Sequence, residues 1–234
     1  MTEPLPVVLI PGLLCSPRLY AEQLPHLWRF GPLVLADHTR DDSMAAIARR
    51  ILAAAPSRFA LVGLSMGGYI AFEIMRTSPE RVTRLALLDT SAREDTPDQS
   101  DRRRAQIALA RGGRFGDVVD QLFRSWVHRT RQTDEGLRRT VRTMAEETGA
   151  EAFTRQQTAI MTRPDSRPGL AAIRCPTLVL VGDGDEATPL DRAAEIASGI
   201  GTARLVTITE CGHLSPIERP KDVTRALIDW LMGM

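Results

Sequence analysis

The sequence predicts an α/β fold of about six mostly parallel strands flanked by helices, with a helical cap inserted after the strand ending at Asp89. Short, wholly apolar runs alternate with helix-spaced patterns up to residue 91 and again from residue 169. Between them, residues 92–168 hold no strand-like run and read as charged, arginine-rich helices. At the centre, the stretch from Phe59 to Phe72 joins an apolar run to a helical pattern through a serine set between glycines. The expected division is a core of residues 1–91 and 169–234 and a cap of residues 92–168.

Val7-Val8-Leu9-Ile10, flanked by Pro6 and Pro11, has no polar face and reads as a buried parallel strand. Ser16-Pro17 supplies an N-cap and a first-turn proline, and Leu19, Gln23, Leu24 and Leu27 continue that helix. Leu33 to Asp37 is a second short strand, and Met44 to Ala55 a helix with Ile47, Ile51 and Leu52 on one face. Phe59 to Val62 is the strand that enters the serine turn. The helix after it runs through Tyr69, Ile70, Phe72 and Met75 until Ser78-Pro79 stops it, and Val82 to Leu88 is the next strand. In the cap, helices are expected over 101–111, 115–129, 134–148 and 151–161. The strongest pattern is Val118, Val119, Leu122, Phe123, Trp126 and Val127. Arg102-Arg103-Arg104 reads as a solvated face offset by Asp98 and Asp101. Strands resume at 177–182 and 203–208 with a helix through Ile196 between them. An amphipathic helix over 223–232 closes the chain, with Val223, Ala226, Leu227, Trp230 and Leu231 facing inward.

A formal net charge of +1 on 234 residues, 43% of them hydrophobic, suits a globular chain with a sizeable core and argues against nucleic acid as a partner. Cys15, Cys175 and Cys211 form no C-x-x-C pair, so neither a zinc site nor a disulfide framework is indicated. Met1 to Pro6 lacks the basic and apolar segments of a signal peptide, and no run approaches a membrane span. The expectation is a cytoplasmic monomer or homodimer that acts on a small molecule, away from membranes, with no metal or organic cofactor.

The pentapeptide Gly63-Leu64-Ser65-Met66-Gly67 fits the nucleophile elbow G-x-S-x-G, and the strand before it and helix after it supply the required context. A sharp strand-to-helix turn lifts the serine clear of the sheet and leaves no room for side chains two residues either side. A serine hydroxyl needs a base, and the base needs a group to hold its tautomer. Of the 4 histidines, His213 follows the last strand in a Gly-His turn at the same sheet edge as Ser65. His26 lies on the first helix, His38 after the second strand and His128 in the cap. Asp185, in the loop after 177–182, is the expected third member; Asp89, Asp183 and Glu186 are alternatives. The order serine, acid, histidine follows. Charge on the reacting oxygen would be met by the N–H of Met66 and that of Leu13, beside Gly12.

Ile10-Pro11-Gly12, Gly63 to Gly68, Pro176 to Gly182 with Asp185 and Thr188-Pro189, and Gly212-His213 together resemble the α/β-hydrolase superfamily. The likeness is to its small capped members, which include carboxylesterases, lactonases and carbon–carbon bond hydrolases. Asp165-Ser166-Arg167 is similar to the junction where the cap returns to the core. The resemblance spans nearly the whole chain and is specific for fold and triad, far less for substrate. It has three departures. Pro11 stands where a histidine usually precedes the glycine, Asp37 to Ser43 lacks the usual glycines, and the chain begins almost at its first parallel strand. Leu13, Leu14, Met66 and Leu214 are expected to make the site apolar, with Phe123, Trp126 and His128 facing it from the cap. What the resemblance implies is a serine carboxylesterase working through an acyl-enzyme on a small or medium, mainly apolar ester. A lactone, or carbon–carbon cleavage on the same triad, is the alternative; a ligand-binding homologue without catalysis is the contrasting reading.

Overall fold

Three strands are buried at every residue, because each lies inside the sheet with both faces covered: β1 (Val7–Ile10), β3 (Phe59–Leu64) and β5 (Thr177–Gly182). β4 (Val82–Leu88) joins them, while β2 (Leu33–Leu35) and β6 (Ala203–Ile208) are partly exposed edges. In the computed structural model, which describes residues 4–234, the six strands are all parallel in the order β2-β1-β3-β4-β5-β6. The start of the leader reading, residues 1–3, lies outside the described residues.

Helices follow the expected alternation. α1 (Leu24–Leu27) precedes β2, and α2 (Met44–Ala54) begins at Ser43, whose hydroxyl accepts the N–H of Ala46. α3 (Met66–Thr77) leaves the serine turn and packs over β1, β3 and β4. One expectation fails here. The helix from Ser16 does not run on to Leu27 but forms a 3₁₀ turn at Pro17–Tyr20, then a break, then α1. Pro25 has no N–H to continue the ladder.

Between β4 and β5 the chain builds α4 (Pro97–Leu109), α5 (Phe115–Trp126), α6 (Glu135–Thr148) and α7 (Ala150–Met161). α4 starts earlier than the apolar pattern indicates, because Thr96 and Gln99 form a reciprocal capping box with Pro97 at the first helical position between them. A kink at Gly113, φ 79°, separates it from α5. The α5 residues Val118, Val119, Leu122, Phe123 and Trp126 are all buried. Arg103 corrects the solvated-face expectation. Its guanidinium donates to Asp95 and Gln157, and Arg163 donates to the same Asp95 carboxylate, whose side chain is 1% exposed. A buried carboxylate recruits its cations from wherever the chain can bring them. After β5 come α8 (Leu190–Gly199), β6, the short α9 (Ser215–Glu218) and α10 (Pro220–Met232). α8 and α10 pack against β5 and β6. No described helix is long and apolar enough to cross a membrane.

Candidate active site

Ser65 sits between β3 and α3 with φ 53° and ψ −111°. The two flanking glycines are held by different neighbours. A Cβ on Gly63 would strike the carbonyl of Gly67, whereas one on Gly67 would strike the carbonyl of Ile10 at the end of β1. The elbow is thus fitted to the adjacent strand as well as to its own turn. Leu14 (φ 58°) and Asp89 (φ 44°) share this rare backbone region. All three follow strands at one sheet edge, and strain collected at such a place points to function.

His213 lies in the loop after β6. Its Nε2 is 2.8 Å from the Ser65 hydroxyl and its Nδ1 is 2.8 Å from Asp185 Oδ2. Asp185 is itself fixed. Its Oδ1 accepts the N–H groups of Ala187 and Thr188, and its Oδ2 accepts the Thr188 hydroxyl. Burial disfavours an imidazolium, but the Asp185 charge and hydrogen bond, with Asp89 and Glu218 behind, outweigh it. The His213 pKa is therefore held above that of a free imidazole. The other carboxylates take different places. Asp183 accepts the N–H of Cys211, and Asp89 accepts the Gly182 N–H and the Ser215 hydroxyl. Burial, and then the charge of Asp185, push the Asp89 carboxyl well up.

Glu218 is the residue that pattern reading missed. Buried at 2% exposure, its carboxylate accepts the N–H groups of Gly212 (3.1 Å), Leu214 (3.2 Å) and His128 (2.8 Å). It thus grips both sides of His213 and ties them to the segment just after α5. The Trp126 carbonyl accepts the His213 N–H at 2.6 Å from the same direction. The available signal was an acidic residue one turn past Ser215-Pro216, directly after the Gly-His turn.

The loop after β1 brings Gly12 against Ser65, where a Cβ would lie 3.4 Å from that of the serine. Neither the Leu13 N–H nor the Met66 N–H donates to any atom among the described residues. Two neighbours hold this loop. His38 donates from Nε2 to the Gly12 carbonyl at 2.8 Å, and Gln156 Oε1 accepts the Leu14 N–H at 3.1 Å. His38 is buried, and burial lowers its pKa, which favours the neutral ring that donates to a carbonyl. Where Pro11 replaces the usual histidine, the polar support arrives from after β2 instead.

Leu14, Leu214, Phe123 and Trp126 are all buried. The Trp126 ring lies 6.2 Å from that of His213, whereas Phe123 of α5 sits under the Arg138 guanidinium of α6. His128 does not face the serine: Gly184 leaves the space its ring fills, and its Nδ1 pairs with Thr130. The Glu218 anchor on its N–H holds that segment behind the histidine loop. A 420 Å³ cavity opens elsewhere, between α3 and residues 163–173, and Ser65 is not among its lining residues.

A family model described as "Alpha/beta hydrolase family" matches residues 7–226. The chain belongs to the α/β-hydrolase family. Among curated members, a pimeloyl-[acyl-carrier protein] methyl ester esterase of Aromatoleum aromaticum is 25% identical over 97% of this chain and 98% of its own length. Among solved α/β-hydrolase structures, a thermophilic esterase from Thermogutta terrifontis superposes with a TM-score of 0.89 at 29% identity, covering 98% of this chain and 90% of that one. The enol-lactonase from Burkholderia xenovorans LB400 shares the fold, with a TM-score of 0.88 at 24% identity over 97% and 91%.

Proposed function

We propose that this α/β-hydrolase is a serine esterase acting on small or medium carboxylic esters, with residues 92–168 as its cap. The observation that carries the reading is the unbroken line from Ser65 Oγ through His213 to Asp185, with 2.8 Å at both joints. Ser65 attacks the ester carbonyl while His213 Nε2 takes its proton and Asp185 holds the ring. The developing oxyanion lies against the N–H groups of Leu13 and Met66. The tetrahedral adduct collapses, His213 returns the proton to the leaving alcohol, and Ser65 is left acylated. Water, deprotonated by His213, then releases the acid and restores the serine. Leu14, Leu214 and Trp126 are the side chains assigned to the apolar wall, with Phe123 behind it.

Two features support ester over carbon–carbon cleavage. A diketone-like acid would call for a cationic anchor, but the cap's Arg103 and Arg163 are already engaged by Asp95. The full-length similarity to a methyl ester esterase points the same way. The test is a chain-length series of 4-nitrophenyl esters with a lactone panel, alongside labelling by a fluorophosphonate. Turnover and stoichiometric labelling, both abolished in Ser65→Ala, are expected. Wild-type protein that neither turns over any ester nor takes the label would refute the reading.

A further inference from the structure

Helix α7 presents Phe153, Gln156, Ala159 and Ile160 to the interior. Gln156 is the polar interruption in that face and is 0% exposed. Its Oε1 accepts the Leu14 N–H, which fixes the amide's orientation, since the reversed amide would set N–H against N–H. Its Nε2 donates to nothing among the described residues. Only the amide carbon separates Nε2 from the oxygen that holds Leu14. The free N–H₂ therefore lies beside the loop that carries the Leu13 N–H. The neighbouring buried Gln157 differs, using both ends: its Oε1 accepts from Arg103 and its Nε2 donates to Gln106. A buried donor left unmatched is costly, and an apolar residue would fill the space without that penalty.

We propose that Gln156 recognises substrate, its Nε2 donating to an ether, keto or hydroxyl oxygen on the acyl group, close to the scissile carbonyl. Its Oε1 meanwhile positions the loop that holds Leu13. This deepens the esterase reading and rests on it. It narrows the substrate class from plain alkanoates to oxygen-bearing acyl esters.

Two ester pairs that differ only by O for CH₂ test the idea: 4-nitrophenyl methoxyacetate against butyrate, and 3-methoxypropanoate against pentanoate. Each kcat/KM is divided by the ester's rate with hydroxide, which removes intrinsic reactivity. Wild type is expected to favour the ether member of at least one pair by about ten-fold or more, as one buried hydrogen bond would give. Gln156→Met should bring that ratio near one, and lower kcat for all the esters by a common factor as the loop loosens. Gln156→Glu, assayed at pH 9, keeps an acceptor for Leu14 and removes the amide donor, so it should lose the ratio with a smaller common loss. It also decides the matter if the methionine variant does not fold. A wild-type ratio near one in both pairs, or a ratio that survives in the variants, overturns the role of Gln156 while leaving the esterase standing. No turnover of any ester by wild type overturns both.

Discussion

Ser65 holds a backbone conformation, φ 53° and ψ −111°, that an L-residue adopts only when its surroundings compel it. The compulsion comes from the carbonyls of Gly67 and Ile10, each closed against a glycine. At this scale the three-residue line makes quantitative claims. Asp185→Asn keeps the shape but removes the charge and offers the wrong hydrogen-bond partner to His213. It should lower kcat by about 10³–10⁴ with KM little changed, measured on a 4-nitrophenyl ester. If His213 is the proposed base, its raised pKa should set the acid limb of the pH profile. A base must be neutral to accept a proton, so activity falls as pH drops through that pKa, and the midpoint of the kcat/KM limb should lie above about 6.5. Glu218→Gln removes one of the charges that raise it, so the limb should move to lower pH. It also leaves an amide facing three N–H donors, so kcat should fall by about ten-fold or more. An acid limb unmoved by that change would mean that Glu218 supports the loop without tuning the base.

At the scale of elements, the helices between β4 and β5 are fastened to the rest of the chain at several places. On one side Gln156 reaches Leu14, Glu147 accepts from Ser16 and Arg18, and Arg155 donates to the Thr39 carbonyl. On the other, the Trp126 carbonyl and the His128 N–H engage the histidine loop and Glu218. At the base, Asp95 joins α4 to the segment after α7 through Arg103 and Arg163, and Arg163 also lies 4.2 Å over the Tyr69 ring of α3. Removing one member of such a buried group leaves charges uncompensated. Asp95→Ala should therefore destabilise the protein by about 3–5 kcal/mol in urea unfolding. Loss of the exposed Arg104–Asp101 pair should cost little, because water screens it and the long side chain gains freedom.

For the whole molecule, the parallel sheet gathers its chemistry at one edge, since every strand ends on the same side. Ser65 follows β3, Asp89 follows β4, Asp185 follows β5, His213 follows β6, and the Leu13 loop follows β1. The same close fitting covers the thiols. Cys15 and Cys211 are buried, and burial pushes the Cys15 thiol up to about 12 and raises that of Cys211 as well. Titration of the native protein with a disulfide reagent should find at most the half-buried Cys175 reactive, and all three thiols only after unfolding. Rapid native reaction of Cys211 would show that the loop bearing His213 opens in solution.

The sequence by itself determined the strand and helix alternation and the turn at Ser65, and it put forward Asp185 and His213 as that serine's proposed partners. These rest on features that are local along the chain: apolar period, bracketing glycines, and position just past a strand. Pro25 is also a local signal, and it breaks the stretch from Ser16 to Leu27 into a 3₁₀ turn and α1. Only the tertiary structure decided which buried polar groups support the site. Gln156 meets Leu14 across 142 positions, Glu218 meets His128 across 90, and His38 meets Gly12 across 26. No period encodes such pairs. A buried polar group must find a partner, and which partner it finds depends on how distant segments come to lie together once the sheet and the helices between β4 and β5 have packed.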